Sequence, residues 1–370
     1  MLIISMVSII AVLLLITVLF INLSPECGKP PTKKDLKQYA NSPQLNNNKF
    51  NNTIETAVKI KTDWSRVASY FTGCNKAPGW SMPVNQLEEN FFNDKQDNAT
   101  RLTWFGHSAL MLEMSGKKIF IDPMLCDVLA PHPWLSAARF KDTLPMQIEN
   151  LPEMDAVLIS HDHYDHLDYG SIIVIKDKVK MFYVPLGIKS HLESWDVPSD
   201  HITELDWWQE IQIDDIKLIA TPARHFSGRG LTDRNKTLWC SYIIQNEKDT
   251  IYFGGDSGYD THFKEIGEKY GPFDLTMLEC GQYDEQWPEM HMMPEETVLA
   301  AIDLESKLFM PIHWGNFKLS LQEWIEPVER AVLKAKELEV NVTTPLLGES
   351  VFLDKKIPQC KWWGEKNKAS

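Results

Sequence analysis

Basic charge is in short supply in this chain of 370 residues. Its 37 Lys and Arg stand against 51 Asp and Glu, a formal net charge of −14. A general nucleic-acid-binding surface needs the opposite balance, so nucleic acid is not an expected partner. Cysteine is sparse too. Cys27, Cys74, Cys126, Cys240, Cys280 and Cys360 contain no C-x-x-C pair and form no dense framework, so the fold need not depend on disulfides and free thiols are expected. No short repeat runs through the chain. No Lys or Arg precedes the apolar run over residues 1–23, as a cleaved signal peptide normally requires, and Ser24-Pro25-Glu26-Cys27 is a poor lipoprotein cleavage site.

What residues 1–23 do have is apolarity, broken only by Ser5, Ser8, Thr17 and Asn22. A helix over this run would be ~33 Å long, enough to cross a hydrocarbon core, and the expectation is a retained transmembrane anchor. Lys29, Lys33, Lys34 and Lys37 follow it, which by the positive-inside rule places the remainder in the cytoplasm. Residues 24–99 read as a polar tether and arm, with an Asn-rich stretch over 44–52 and a short helix within 62–80. Hydrophobic content of 44% and thirteen Trp allow a sizeable core, which is expected in 100–354, followed by a tail over 355–370.

Strand signals begin at Arg101. Residues 101–107, 109–114 and 119–122 read as strands joined by the turn at Ser115-Gly116, and a long Pro-rich loop follows over 126–154. Further strands are expected at 155–160, 179–184, 211–213, 216–220, 238–245, 250–253, 273–278, 308–312 and 342–347. Helices are expected at 186–195, 294–304 and 326–339. Two blocks of strands, each with helices, predict an α/β sandwich of mixed sheets.

The chemistry gathers in His161-Asp162-His163-Tyr164-Asp165-His166-Leu167-Asp168, directly after the apolar strand run. His161 and His163 are two apart, so an extended chain points both the same way, and Asp165 and His166 follow once it turns. Nitrogen and oxygen donors at this density suit a borderline divalent ion such as zinc, although iron or manganese also fit some of the positions. His225, Asp256 and His313 each follow a buried strand, where open sheets place ligands, and Gly254-Gly255 lets the backbone approach the site. Two metal ions about 3.5–4 Å apart can share a water, lower its pKa and clamp both oxygens of a displacement.

These residues resemble the metallo-β-lactamase fold superfamily, and within it N-acyl-phosphatidylethanolamine-hydrolysing phospholipase D and its bacterial relatives. The resemblance spans roughly residues 100–353. It rests on Thr103-Trp104-Phe105-Gly106-His107, the His161–Asp168 loop, Glu204-Leu205-Asp206-Trp207-Trp208, Asn235-Lys236-Thr237-Leu238-Trp239, Gly255-Asp256-Ser257-Gly258-Tyr259 and Ile312-His313-Trp314-Gly315. It implies an αββα sandwich with two zinc ions. His161, His163 and His225 would hold one, Asp165, His166 and His313 the other, and Asp256 would bridge them. It implies hydrolysis of a phospholipid at its distal phosphodiester by a metal-bridging hydroxide, giving phosphatidic acid and an N-acylethanolamine at a membrane. Asp256 would orient the nucleophile. His291 matches a substrate-contacting histidine, Arg229 an arginine near the head-group mouth, and Tyr164 sits in the metal loop beside that mouth. His107 is expected just outside the ligand set. The loop at 131–135, with Arg139 and Phe140, is expected to meet the lipid interface. Two other readings stay open: a metal-dependent lactonase or small-ester hydrolase on soluble substrate, and a membrane-tethered zinc protein without activity. Turnover of lactone alone would favour the first, and no turnover with added zinc the second.

Overall fold

Apolar residues on both faces of successive strands force this chain into layers, because a sheet buried on both sides must be covered twice. The computed structural model describes residues 23–56, 77–93, 99–132, 138–284, 286–318, 320–355 and 357–364, with positions 12, 17, 18 and 20. The arm contributes the hairpin β1 (Leu45–Asn46) and β2 (Lys49–Phe50). A first block holds β3 (Arg101–Gly106), β4 (Ala109–Met114), β5 (Lys117–Ile121), β6 (Ala156–Leu158), helix α1 (Tyr169–Ile175), β7 (Phe182–Pro185), helix α2 (Lys189–Ser194) and β8 (Ile202–Leu205). A second holds β9 (Glu210–Ile213), β10 (Ile216–Thr221), β11 (Ser241–Gln245), β12 (Thr250–Phe253), helix α3 (His262–Tyr270), β13 (Leu275–Glu279), helix α4 (Pro294–Asp303) and β14 (Phe309–Ile312). Helix α5 (Glu326–Glu337) and β15 (Ser350–Phe352) close the domain.

The strands form a seven-stranded sheet in the order β15-β3-β4-β5-β6-β7-β8 and a six-stranded sheet in the order β14-β13-β12-β11-β10-β9. Period-two alternation assigns the faces. Leu110, Leu112, Ile119, Ile121 and Leu158 enter the core shared with the other sheet, alongside Leu218, Ile244 and Leu278. Their neighbours Met111, Phe120 and Val157 point outward and meet Ile172 and Ile175 of α1 and Leu192 of α2. Val298 and Ala301 of α4 and Val328 and Ala331 of α5 join the main core from the far side. The expected sandwich of helices around two mixed sheets is therefore the observed one.

Four expectations need correction. Among the described residues the run 342–347 makes only isolated bridges, Val342 to Phe309, Thr344 to Gln359 and Leu347 to Val84, and the ladder strand is β15. Pro345 inside that run has no N–H to give a ladder. The arm over 24–56 is not a loose tether. Leu36, Tyr39 and Phe50 are buried in the main core, and the Tyr39 hydroxyl donates to Glu204 at 2.7 Å. The tail likewise buries Trp362 and Trp363. Phe140 and Arg139, expected at a lipid interface, are also buried. The Arg139 guanidinium lies over the Phe317 ring and donates to the carbonyls of Met124 and Cys126. Residues 133–137 of that loop, most of the expected helix within 62–80 and most of the apolar run over 1–23 lie outside the described residues. Among the described residues, no helix is long and apolar enough to cross a membrane.

Candidate metal centre

Strand direction brings the donors together. β4 is antiparallel to both β3 and β5, and β6 is parallel to β5, so β3, β5 and β6 end on one edge. In the other sheet β13 and β14 are parallel to β12, and β10 reaches the same direction through the antiparallel β11. His107 follows β3, Asp122 follows β5, and the 161–168 loop follows β6. His225 and Asp256 follow β10 and β12, Glu279 ends β13, and His313 follows β14. The carboxyl ends of seven strands thus supply the site, as open α/β sheets favour.

Several of these residues are held in unusual backbone conformations. His107, Asp122 and His313 have φ of 52°, 42° and 66°. Left-handed non-glycine residues of this kind persist only where their surroundings over-determine them, and they gather at functional sites. Here two turns are sewn together: His107 N–H donates to the Trp314 carbonyl at 3.2 Å, and His313 N–H to the His107 carbonyl at 3.0 Å. The Trp104 indole N–H also donates to the His107 carbonyl, at 3.0 Å. Gly255 has φ of 58°, and a Cβ there would stand 3.0 Å from the Ser160 Cβ, so the approach of β12 to the metal loop requires glycine.

The donor atoms form two groups. In the first, His163 Nδ1 lies 2.9 Å from His161 Nε2 and 3.2 Å from His225 Nε2, with Asp256 Oδ2 at 3.7 Å from His161 and 3.8 Å from His225. In the second, His313 Nε2 lies 3.3 Å from His166 Nε2 and 3.2 Å from Asp165 Oδ2. Asp256 joins this group as well, with Oδ2 3.2 Å from His166 Nε2 and Oδ1 3.2 Å from His313 Nε2. Ligands bonded to zinc at ~2.0–2.1 Å stand about 3.3–3.4 Å apart in a regular tetrahedron, so both groups have the edge lengths of a metal site. Among the described residues, Asp256 Oδ1 is buried and makes no hydrogen bond, as expected of an oxygen reserved for a cation.

The rings are oriented from behind. His161 Nδ1 meets Ser160 Oγ at 2.9 Å, His166 Nδ1 meets Asp122 Oδ2 at 2.6 Å, and His225 Nδ1 meets the Met290 carbonyl at 3.0 Å. Such outer contacts fix which nitrogen faces a metal. Asp122 also accepts from Ser160 N–H at 2.7 Å and from Ser160 Oγ–H at 2.6 Å. Asp122→Ala would strip these partners from a fully buried site. We expect it to lower metal affinity by about 10–100-fold, measured by competition with a chromogenic chelator.

Electrostatics favours the ligating forms of several of these groups, though not of His166. Burial and neighbouring imidazoles hold His161 and His225 well below the usual histidine range, and burial lowers His163, so these rings are neutral. Burial opposes the charge on Asp165 and Asp256, but the surrounding histidines hold both well below the usual carboxylate range. Burial also opposes charge on His166, yet Asp256, Asp165 and Asp122 outweigh it and raise this ring well above its ordinary value. A metal on His166 Nε2 must therefore displace a proton.

The structure brings His161, His163, Asp165, His166, His225, Asp256 and His313 into this centre, with His291 beside it. His291 Nδ1 is 2.6 Å from Glu279 Oε2 and 4.0 Å from Asp256 Oδ2, and its ring centroid is 5.1 Å from that of His225 and 5.6 Å from that of His313. Burial works against its charge, but Glu279 raises it to about 9. His107 Nε2 reaches Asp165 Oδ2 at 3.0 Å and burial lowers it to about 3, so a neutral ring donates to that carboxylate. Arg229 and Tyr164 are placed differently from expectation. The Arg229 guanidinium is buried behind the metal loop, donating to the carbonyls of Asp162, Leu167 and Glu26, and Tyr164 donates to the Arg229 carbonyl at 2.7 Å. Sequence reading missed Glu279 and the role of Asp122. Each is a single carboxylate at the carboxyl end of a buried strand, and its shared edge with the histidines is the signal.

Comparison with known proteins shows the family. Residues 117–314 match the family described as Beta-lactamase superfamily domain. An uncharacterized protein of Mycobacterium tuberculosis (strain ATCC 25618 / H37Rv) is 43% identical over 287 residues, 76% of this chain and 76% of the relative. The N-acyl-phosphatidylethanolamine-hydrolyzing phospholipase D 1 of Caenorhabditis elegans is 32% identical over 272 residues, 70% of this chain and 74% of the relative. Among solved structures, a metallo hydrolase of the archaeon Ignicoccus hospitalis KIN4/I aligns with a TM-score of 0.55 at 23% identity, covering 70% of this chain and all of that one, a likeness of fold.

Proposed function

The chain belongs to the β-lactamase superfamily and is a metal-dependent hydrolase, and on that footing we propose that it is a dizinc phosphodiesterase of phospholipase D type. Its substrates in this reading are N-acyl-phosphatidylethanolamine-like lipids, cleaved to phosphatidic acid and an N-acylethanolamine. The observation that carries the reading is the pair of donor groups joined through Asp256, with His291 Nδ1 4.0 Å from that carboxylate. The similarity to the nematode enzyme of that name supports the choice of substrate class.

When bound, a pair of zinc ions supplies Lewis acidity toward phosphate oxygens and acidifies water. The chain's own groups do the rest. Asp256 is ionised and faces both donor groups, so it orients an attacking water between them. Water oxygen bonds to phosphorus and gives one proton to the Asp256 carboxylate. The P–O bond to the N-acylethanolamine breaks, and the leaving oxygen takes a proton from His291. The Asp256 proton later returns to His291 through solvent. His291 carries a proton at neutral pH and is held by Glu279, which places a donor on that side. Asp165, fixed by His107, keeps the second group in register.

A two-substrate comparison tests the reading. The purified full chain with added zinc is incubated with N-acyl-phosphatidylethanolamine in mixed micelles and, separately, with an acylhomoserine lactone. Phosphatidic acid should form from the lipid. Ring opening of the lactone without lipid cleavage would replace this reading by the lactonase one.

A further inference from the structure

The segment at residues 24–28 has no role in the centre described above, yet it is bound to the back of the metal loop. The Glu26 carbonyl accepts from Arg229 through Nε at 3.2 Å and Nη2 at 2.6 Å. The other side of the same guanidinium donates from Nη1 to the carbonyls of Asp162 and Leu167, both at 2.7 Å. Those two carbonyls bracket the ligand run His163, Asp165 and His166. One buried cation therefore clasps the ends of the metal loop with one edge and the segment with the other. The clasp is packed: the Arg229 guanidinium carbon lies 4.0 Å from the Tyr164 ring centroid and 5.3 Å from that of Trp195. Trp195 in turn donates its indole N–H to the Pro25 carbonyl at 2.7 Å.

The segment also leaves no room behind it. Gly28 has φ of 64°, and a Cβ there would stand 2.3 Å from His191 Nδ1. His191 Nε2 lies 3.5 Å from Asp162 Oδ2, and Asp162 is further held by Gly228 N–H at 2.7 Å and Thr237 Oγ–H at 2.8 Å. On its other side the segment continues from Phe20, whose carbonyl accepts from Ser24 N–H at 2.8 Å. The Phe20 ring packs edge-on to His132, in the loop after β5, at 6.3 Å.

We infer that residues 24–28 form a strap which holds the metal loop in its ligating geometry through Arg229. Arg229 is a positioning residue in this account. Its planar fork is matched to three main-chain carbonyls at once, which a lysine ammonium cannot reproduce. Removing the strap leaves a buried guanidinium with N–H groups unpaired, and a buried donor in that state draws its remaining partners out of place. Those partners are the two carbonyls of the metal loop.

The inference rests on the reading of the loop as a metal site, and its test does not depend on the substrate. Full-chain protein loaded with zinc is mixed with a chromogenic chelator, and the rate of zinc transfer is followed for wild type, Gly28→Val, Arg229→Met and Arg229→Lys. Gly28→Val and Arg229→Met should each release zinc about tenfold faster or more, the scale of lost outer-sphere support, with Arg229→Lys between them and wild type. Thermal unfolding of the zinc-free forms is recorded alongside. Wild-type release rates in both Gly28→Val and Arg229→Met, whatever their thermal stability, would overturn the inference, since a merely structural role moves only the latter. A wild-type chain that takes up no zinc would sink the metal reading, and the strap's role with it.

Discussion

Asp256→Asn is expected to lose hydrolysis by at least about 10²–10³-fold, the usual effect of removing one preorganised charged group from an active centre, and to lose bound metal as well. The reason is that Asp256 contacts histidines of both donor groups. Asp256 Oδ2 lies within 3.2–3.8 Å of His166, His161 and His225, and Oδ1 lies 3.2 Å from His313. Asn has nearly the same shape, so the pocket stays filled, but its amide nitrogen is no ligand and its oxygen carries no full charge. Each donor group then has one anionic ligand fewer. Metal analysis of the purified variant should find a lower zinc content per chain than in wild type, and turnover should fall with it. Wild-type turnover in Asp256→Asn would remove the shared carboxylate from the account.

His291→Gln is expected to lower turnover by about 10²–10⁴-fold, the range that a positioned proton donor contributes, while leaving the metal content unchanged. This separates it from Asp256. His291 Nδ1 is committed to Glu279 at 2.6 Å, so the ring stands beside the ligands without being needed to hold a metal. Glu279 is fully buried and also accepts from Ser257 N–H at 2.8 Å, which fixes the imidazole from a rigid strand end. Gln retains a hydrogen-bond donor but cannot deliver a proton, so binding should survive better than catalysis. A variant in which KM rises and kcat holds would move His291 from proton donation to substrate binding.

The ligand set was legible because metal chemistry demands residue types that buried strand ends otherwise avoid. His161, His163, Asp165 and His166 sit within six positions, and His225, Asp256 and His313 each close an apolar run. The groups that hold them were harder to see. Asp122 and Glu279 look like ordinary strand-terminal acids until the topology places β5 and β13 on the same edge as the histidines. Helix α1 was hidden for a different reason. Ile172-Ile173-Val174-Ile175 has the composition of a strand, and the helix is set by Asp168, whose side chain accepts from Ser171 N–H and caps it. Arg229 was read as an arginine near a head-group mouth, whereas its partners are carbonyls separated from it by more than sixty positions, at 162 and 167, and by some two hundred, at 26. Main-chain acceptors leave no mark on a sequence. The arm was misjudged on composition, since a few buried residues, Leu36, Tyr39 and Phe50, are enough to fasten a largely polar stretch.

The claim on which the rest depends is that Asp256 joins two metal positions. Crystals of the zinc-loaded full chain, with diffraction recorded at and away from the zinc absorption edge, test it directly. The account predicts two anomalous peaks about 3.5–4 Å apart, one ringed by His161, His163 and His225 and the other by Asp165, His166 and His313, with Asp256 in contact with both. A single peak, or two peaks that do not share Asp256, would contradict it.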